Sequence, residues 1–185
     1  MPDPVRLGLL GGSFDPPHVA HQMVCLAALS LGRLDEVLVV PCYQHAFDKH
    51  LTGYAHRLEM CRLACEPFDD RVQVSDVERA LGGVSRTLVT VEHLMRSRPG
   101  VRCTLIMGSD ILGELPRWYG WDRLQPLVDL FIIGRGDAPS PQVYTLPDIS
   151  STAIRERLRT GKGVEAWVPA TVRDYIAVHG LYRGE

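Results

Sequence analysis

The chain has 185 residues, 45% of them hydrophobic and 23% charged, with a formal net charge of −2. That length suits one domain with a sizeable core, and the balance is ordinary for a globular protein. Near-neutral charge supplies no global field for nucleic acid or an anionic membrane, and no apolar run approaches the roughly 20 residues that cross a bilayer.

Residues 5–10 are an almost wholly apolar run ending in two glycines, which reads as a buried parallel strand. A helix is expected over 18–31, with Val19, Met23, Ala27 and Leu31 as its apolar face. Residues 36–40 read as a second buried strand stopped by Pro41, and 42–53 as a polar loop. A helix is expected over 54–66, and the alternation at 72–77 suggests a strand. Gly82 and Gly83 break the chain before a helix over 87–96, whose core face is Leu88, Val91 and Leu94 with Met95. A strand over 101–107 ends at Gly108. A short helix over 121–127, a strand over 130–133, a loop over 137–141 and a last strand within 142–146 follow. Helices at 151–159 and 170–179 are each closed by a glycine. Strands alternating with helices imply an α/β, doubly wound, mainly parallel sheet. No repeat or linker divides it, so 1–185 reads as a single domain whose helical C-terminal part, about 148–185, belongs to the same unit.

The N-terminal residues lack a basic stretch followed by an apolar one, so no signal peptide is expected. The five cysteines (Cys25, Cys42, Cys61, Cys65 and Cys103) are odd in number and form no CxxC pair. They read as small thiols in a reducing cytoplasm rather than as disulfides or zinc ligands.

The loop after the first strand carries the chemistry. Gly11, Gly12, Ser13 and Phe14 lead through Asp15, Pro16 and Pro17 to a helix start at His18. Glycines allow close backbone approach, and a helix N-terminus offers N–H donors and a positive dipole end to phosphate. Neither GxGxxG nor GK[ST] is present. The distinguishing pair is His18 and His21, three apart and on one helical face, able to donate hydrogen bonds to charge developing on phosphoryl oxygens. Alone, His-x-x-His would be read as surface or cap histidines, or as half of a metal site lacking its other ligands. After a buried strand, a glycine turn and two prolines, the phosphate reading is preferred.

A second helix start, Ser150-Ser151-Thr152 with Arg155 one turn in, offers hydroxyls, N–H groups and a guanidinium fork. It is a plain N-cap in isolation. Together the two starts suit the two ends of a triphosphate.

The segment GGSFDPPHxxH resembles the HxGH signature of the nucleotidyltransferase superfamily, in the form found in bacterial nicotinate-nucleotide adenylyltransferases. The ending ISSTxIR, followed by Val168-Pro169, Tyr175-Ile176 and Gly180-Leu181-Tyr182, is similar to the C-terminal signature of that family. The resemblance implies a Rossmann-like nucleotidyltransferase fold. It further implies transfer of AMP from ATP to nicotinate mononucleotide, with Mg²⁺ accompanying ATP and no metal held by protein side chains. His18, His21 and Arg155 would be catalytic. Gly11, Gly12, Ser13, Phe14, Lys49, Arg135, Ser150, Ser151 and Thr152 would meet ATP and its phosphates. Ser85, Arg86, Thr87, Asp110 and Trp118 would take the mononucleotide: Asp110 the ribose hydroxyls, Trp118 the pyridine ring, the 85–87 helix start the carboxylate.

Ala20 stands where the superfamily has Gly, at a place where adenine lies against the helix, and Arg86 stands where the family has Tyr. Arg86 is either a cation favouring the acid over the amide or a solvated helix-start residue. The alternatives are a pantetheine-phosphate adenylyltransferase or cytidylyltransferase of the same superfamily, or a nucleotide-binding regulator without catalysis. No nucleic-acid or membrane partner is expected, the setting is cytoplasmic, and a homo-oligomer stays open.

Overall fold

The apolar runs become β1 (Arg6–Gly12), β2 (Glu36–Pro41), β3 (Val72–Val74), β4 (Arg102–Gly108), β5 (Val128–Arg135) and β6 (Thr145–Leu146). They are seen in a computed structural model that describes residues 3–44, 51–135 and 145–183. Their order across the sheet is β3-β2-β1-β4-β5-β6, and every neighbouring pair is parallel. From β1 the chain steps outward to β3, then returns to lay β4 on the other flank of β1. That reversal opens a crevice beyond the carboxyl ends of β1 and β4, where sheets of this class bind ligands.

The helices are α1 (Val19–Ser30), α2 (Tyr54–Cys65), α3 (Val77–Leu81), α4 (Thr87–Ser97), α5 (Trp121–Leu124), α6 (Ser151–Arg159) and α7 (Ala170–Val178), with 3-10 turns at Ser109–Arg117 and Gln125–Leu127. Side chains alternate across the strands. Leu7, Leu9, Leu38, Val40, Cys103, Leu105 and Met107 meet Val77, Leu88, Val91, Leu94 and Leu124 on one face. Leu10, Val37, Val39, Ile106, Phe131 and Ile133 meet Cys25, Ala28 and Cys61 on the other. Helices therefore cover both faces. A third cluster joins Ala20 and Met60 to Ile154, Val168, Val172 and Ile176, which packs α6 and α7 against α1 and α2. Ile154 and Val172 are 0% exposed, and each such side chain contributes about 1.5–3 kcal/mol by burial. The seating of α6 is thus set by core packing.

Three expectations need correction. The face of α1 is Ala20, Cys25 and Ala28, whereas Met23 and Leu31 are 40% and 45% exposed. A strict four-residue spacing drifts by about 40° per step on a helix of 3.6 residues per turn, so that line winds off the buried side. The alternation at 72–77 is a strand only through Val74. Ser75 Oγ accepts the Val77 N–H at 3.2 Å and turns the chain into the short α3, which ends where Gly82 takes φ +70. Pro41 closes β2 from inside, paired in register with Gly12.

Candidate active site

The turn after β1 is built around a buried aromatic ring. Phe14 is 2% exposed with φ +49. A side chain at Gly12 would meet its ring at 3.2 Å, while one at Gly11 would meet nothing within 4 Å. Gly12 therefore makes room for Phe14, and Gly11 leaves the strand end open to a ligand. The Asp15–Pro16 peptide is cis, and Pro17 leads to His18, the extended N-cap of α1.

His18 is buried at 3% exposure. Its ring stacks on that of His21 with centroids 3.7 Å apart and planes at 28°. The His18 N–H donates to Nδ1 of His21 at 3.1 Å. An Nδ1 that accepts carries no proton, so the neutral His21 ring holds its hydrogen on Nε2. Phe14 supports the same ring edge-on, centroids 4.8 Å apart.

α6 sits directly on this turn. Ser151 Oγ donates to the Pro16 carbonyl at 2.9 Å, and Arg155 Nη1 donates to the Asp15 carbonyl at 2.7 Å. Arg155 Nη2 lies 3.4 Å from Thr152 Oγ1, and Ser150 caps the helix by accepting the Ala153 N–H at 3.2 Å. The two phosphate-type helix starts are one surface, and Arg155 spends one N–H on the turn itself.

The opposite side of the crevice holds the remaining expected residues. Asp110 opens the 3-10 turn after β4 and is exposed; a side chain at Gly108 would collide with its Oδ1, so the carboxylate folds back over the strand end. Trp118 is half-buried against the first core cluster and meets Trp121 edge-to-face at 6.5 Å. Arg86 lies over the Tyr119 ring at 5.2 Å, which places it beside the Trp118 wall rather than free in solvent. Thr87 begins α4. Ser85 Oγ accepts the N–H groups of Tyr43 at 3.0 Å and Gln44 at 3.2 Å, tying the exit of β2 to the start of α4.

Among known proteins, the cytidylyltransferase-like family matches residues 9–157. A relative from Anaeromyxobacter dehalogenans named nicotinate-nucleotide adenylyltransferase is 44% identical over 183 residues, 97% of either chain. One of the same name from Myxococcus xanthus is 36% identical, over 96% of this chain and 95% of its own. The chain belongs to the nicotinate-nucleotide adenylyltransferase family. A Plasmodium falciparum nicotinic acid mononucleotide adenylyltransferase complexed with NaAD shares the fold, with a TM-score of 0.83 at 24% identity, over 96% of this chain and 97% of that one.

Within this adenylyltransferase fold three residues to which the motifs gave no role hold the turn in place. Asp15, 2% exposed, accepts the Tyr182 hydroxyl on Oδ1 at 2.5 Å and the Thr52 N–H on Oδ2 at 3.1 Å. Burial, first, and that hydrogen bond push the Tyr182 phenol far above its ordinary value, so it stays a donor. Arg57, also 2% exposed, donates to three carbonyls. The signal for it was present in the sequence: an arginine on the same helical face as Met60, Cys61 and Ala64 has no water to face. Ala20 is 7% exposed and belongs to the third core cluster with Ile154, Val168 and Val172. Arg135 ends β5 at the carboxyl edge of the sheet. Lys49 lies outside the described residues.

Proposed function

We propose that the chain transfers AMP from ATP to nicotinate mononucleotide, giving deamido-NAD and pyrophosphate. The observation that carries this reading is the docking of Ser151 and Arg155 on Pro16 and Asp15 beside the stacked histidines. An oxygen of the mononucleotide 5′-phosphate attacks the α-phosphorus in line, and the bond from that phosphorus to the β-phosphate bridging oxygen breaks. Positioning and charge neutralisation are the protein's share of such a transfer.

His21 Nε2–H and His18 donate to the α-phosphate oxygens. The 11–14 turn, Ser150, Ser151, Thr152 and Arg155 hold the triphosphate, with Lys49 and Arg135 as further ATP contacts. Trp118 and Asp110 receive the pyridine ring and ribose, and the 85–87 helix start takes the carboxylate through Arg86 and Thr87. The phosphate side offers N–H groups, imidazoles and a guanidinium, which suit phosphate oxygens, whereas hard Mg²⁺ prefers oxygen ligands. Mg²⁺ would therefore come with ATP as substrate and would offset phosphate charge there.

Product identification with ATP, Mg²⁺ and a panel of acceptors tests this. Deamido-NAD from the acid mononucleotide is expected. Adenylyl transfer to phosphopantetheine instead, or no product in a single turnover, overturns it. His21→Ala should lower kcat by about 10²–10³, and near-full turnover would remove His21 from the mechanism.

A further inference from the structure

Arg57 lies fully buried on α2, yet the ion pairs among the described residues do not include it. Its guanidinium is spent on main-chain carbonyls. Nη1 donates to Ser13 at 2.9 Å, Nη2 to Cys42 at 2.8 Å and Nε to Thr52 at 2.8 Å. Those carbonyls belong to the phosphate turn, to the exit of β2 and to the entrance of α2. The same pieces are cross-tied: the Cys42 N–H reaches the Gly12 carbonyl at 2.8 Å, and the Thr52 N–H reaches Asp15.

Two physical points follow. A peptide unit is planar and trans, so its C=O and N–H point in opposite directions. With the Ser13 carbonyl drawn onto Arg57, the N–H of Phe14 in that peptide unit points to the side away from Arg57. Further, a buried cation is costly unless an anion or several acceptors compensate it. Neutral amide donors could bridge carbonyls; a full charge set directly beneath a phosphate turn also attracts the ligand's charge.

We propose that Arg57 is a positioning residue for the ATP phosphates: it orients the Ser13–Phe14 peptide so that its N–H meets them, and it holds a fixed positive charge behind the turn. This rests on the adenylyl-transfer reading.

The test uses the full chain with Arg57→Lys, which keeps the charge but cannot fork to three carbonyls, and Arg57→Met, which removes the charge. In folded Arg57→Lys, KM for ATP should rise about 10-fold or more, as for loss of a charge-assisted hydrogen bond, while KM for the mononucleotide stays within about twofold. Arg57→Met should raise KM for ATP further. Equal shifts in both KM values, or a loss that only follows the folded fraction, overturn the proposal. A wild-type measurement keeps it falsifiable if the variants do not fold: on binding α,β-methylene-ATP, the Phe14 amide should shift in its NMR spectrum and exchange more slowly, and an unchanged Phe14 amide overturns it. If wild-type protein makes no deamido-NAD, the functional reading fails. If it does and ATP KM is unmoved in Arg57→Lys, only the role of Arg57 fails.

Discussion

Tyr182→Phe removes one oxygen and leaves the ring, which packs against the third core cluster. That oxygen donates to Asp15 at 2.5 Å, and Asp15 is 2% exposed. A hydrogen bond to a carboxylate in such a site is worth about 1.5–3 kcal/mol, roughly twice a neutral one. Asp15 keeps the Thr52 N–H at 3.1 Å, so the Tyr182 contact is lost while that one stays. For a chain of this size, Tm moves about 2–4 °C per kcal/mol, which sets the expected fall at about 3–12 °C. Activity should follow, because Arg155 hydrogen-bonds to the carbonyl of Asp15: a loosened Asp15 lets the α6 start shift against the histidines, and KM for ATP rises. Thermal melts and initial rates of Tyr182→Phe, Asp15→Asn and the double variant check both statements. The two substitutions should be non-additive by about 1 kcal/mol or more, since they remove the same contact. A Tm within about 1 °C of wild type, with additive effects, would refute the latch.

Alkaline pH should destabilise the fold well before Tyr182 ionises. Burial pushes the Cys65 thiol up to about 11, and it pushes Cys25 and Cys61 well above their ordinary value too. The folded state then keeps protons that the unfolded chain releases near its ordinary value of about 9. Stability is intact below that pH and falls above it, by up to about 1.4 kcal/mol per pH unit for each thiol. A Tm that stays flat from pH 8.5 to 11 would contradict this, and Cys25→Ala should blunt the fall. Arg86→Ala should narrow the preference for the acid over the amide mononucleotide if the guanidinium, which lies over Tyr119, meets the carboxylate as proposed; an unchanged ratio of kcat/KM values sinks that role. Ala20→Gly should lower stability by about 1 kcal/mol, from helix propensity and the lost buried methyl, without improving KM for ATP. An improved KM would mean that the methyl faces the nucleotide after all.

The strand, glycine turn and paired histidines were legible because everything that defines them lies within residues 5–21. Ser150 to Arg155 was equally legible as a helix start. Its meeting with Asp15 and Pro16 was not, since those contacts span 140 and 135 positions and no local pattern encodes them. Ser85 shows the opposite limit. Its place beside a helix start was readable, but the direction of its hydroxyl depends on where Tyr43 and Gln44 pass. The α1 face was misjudged because small residues form it: Ala20 and Ala28 allow close approach to neighbours, whereas hydropathy weights Met23 and Leu31 more heavily.

The span of the Asp15 contacts bears on how the enzyme is made. The turn after β1 is synthesised before its braces, Arg155 and Tyr182, which follow 140 and 167 residues later. Such distant pairing is slow to form and cannot begin until the later residues exist. A nascent chain can lay down β1 and α1 before Arg155 and Tyr182 exist to hold the turn between them. Nucleotide affinity should thus appear late and abruptly during translation, which makes ATP capture by ribosome-bound chains of increasing length a direct reporter of when the last brace closes.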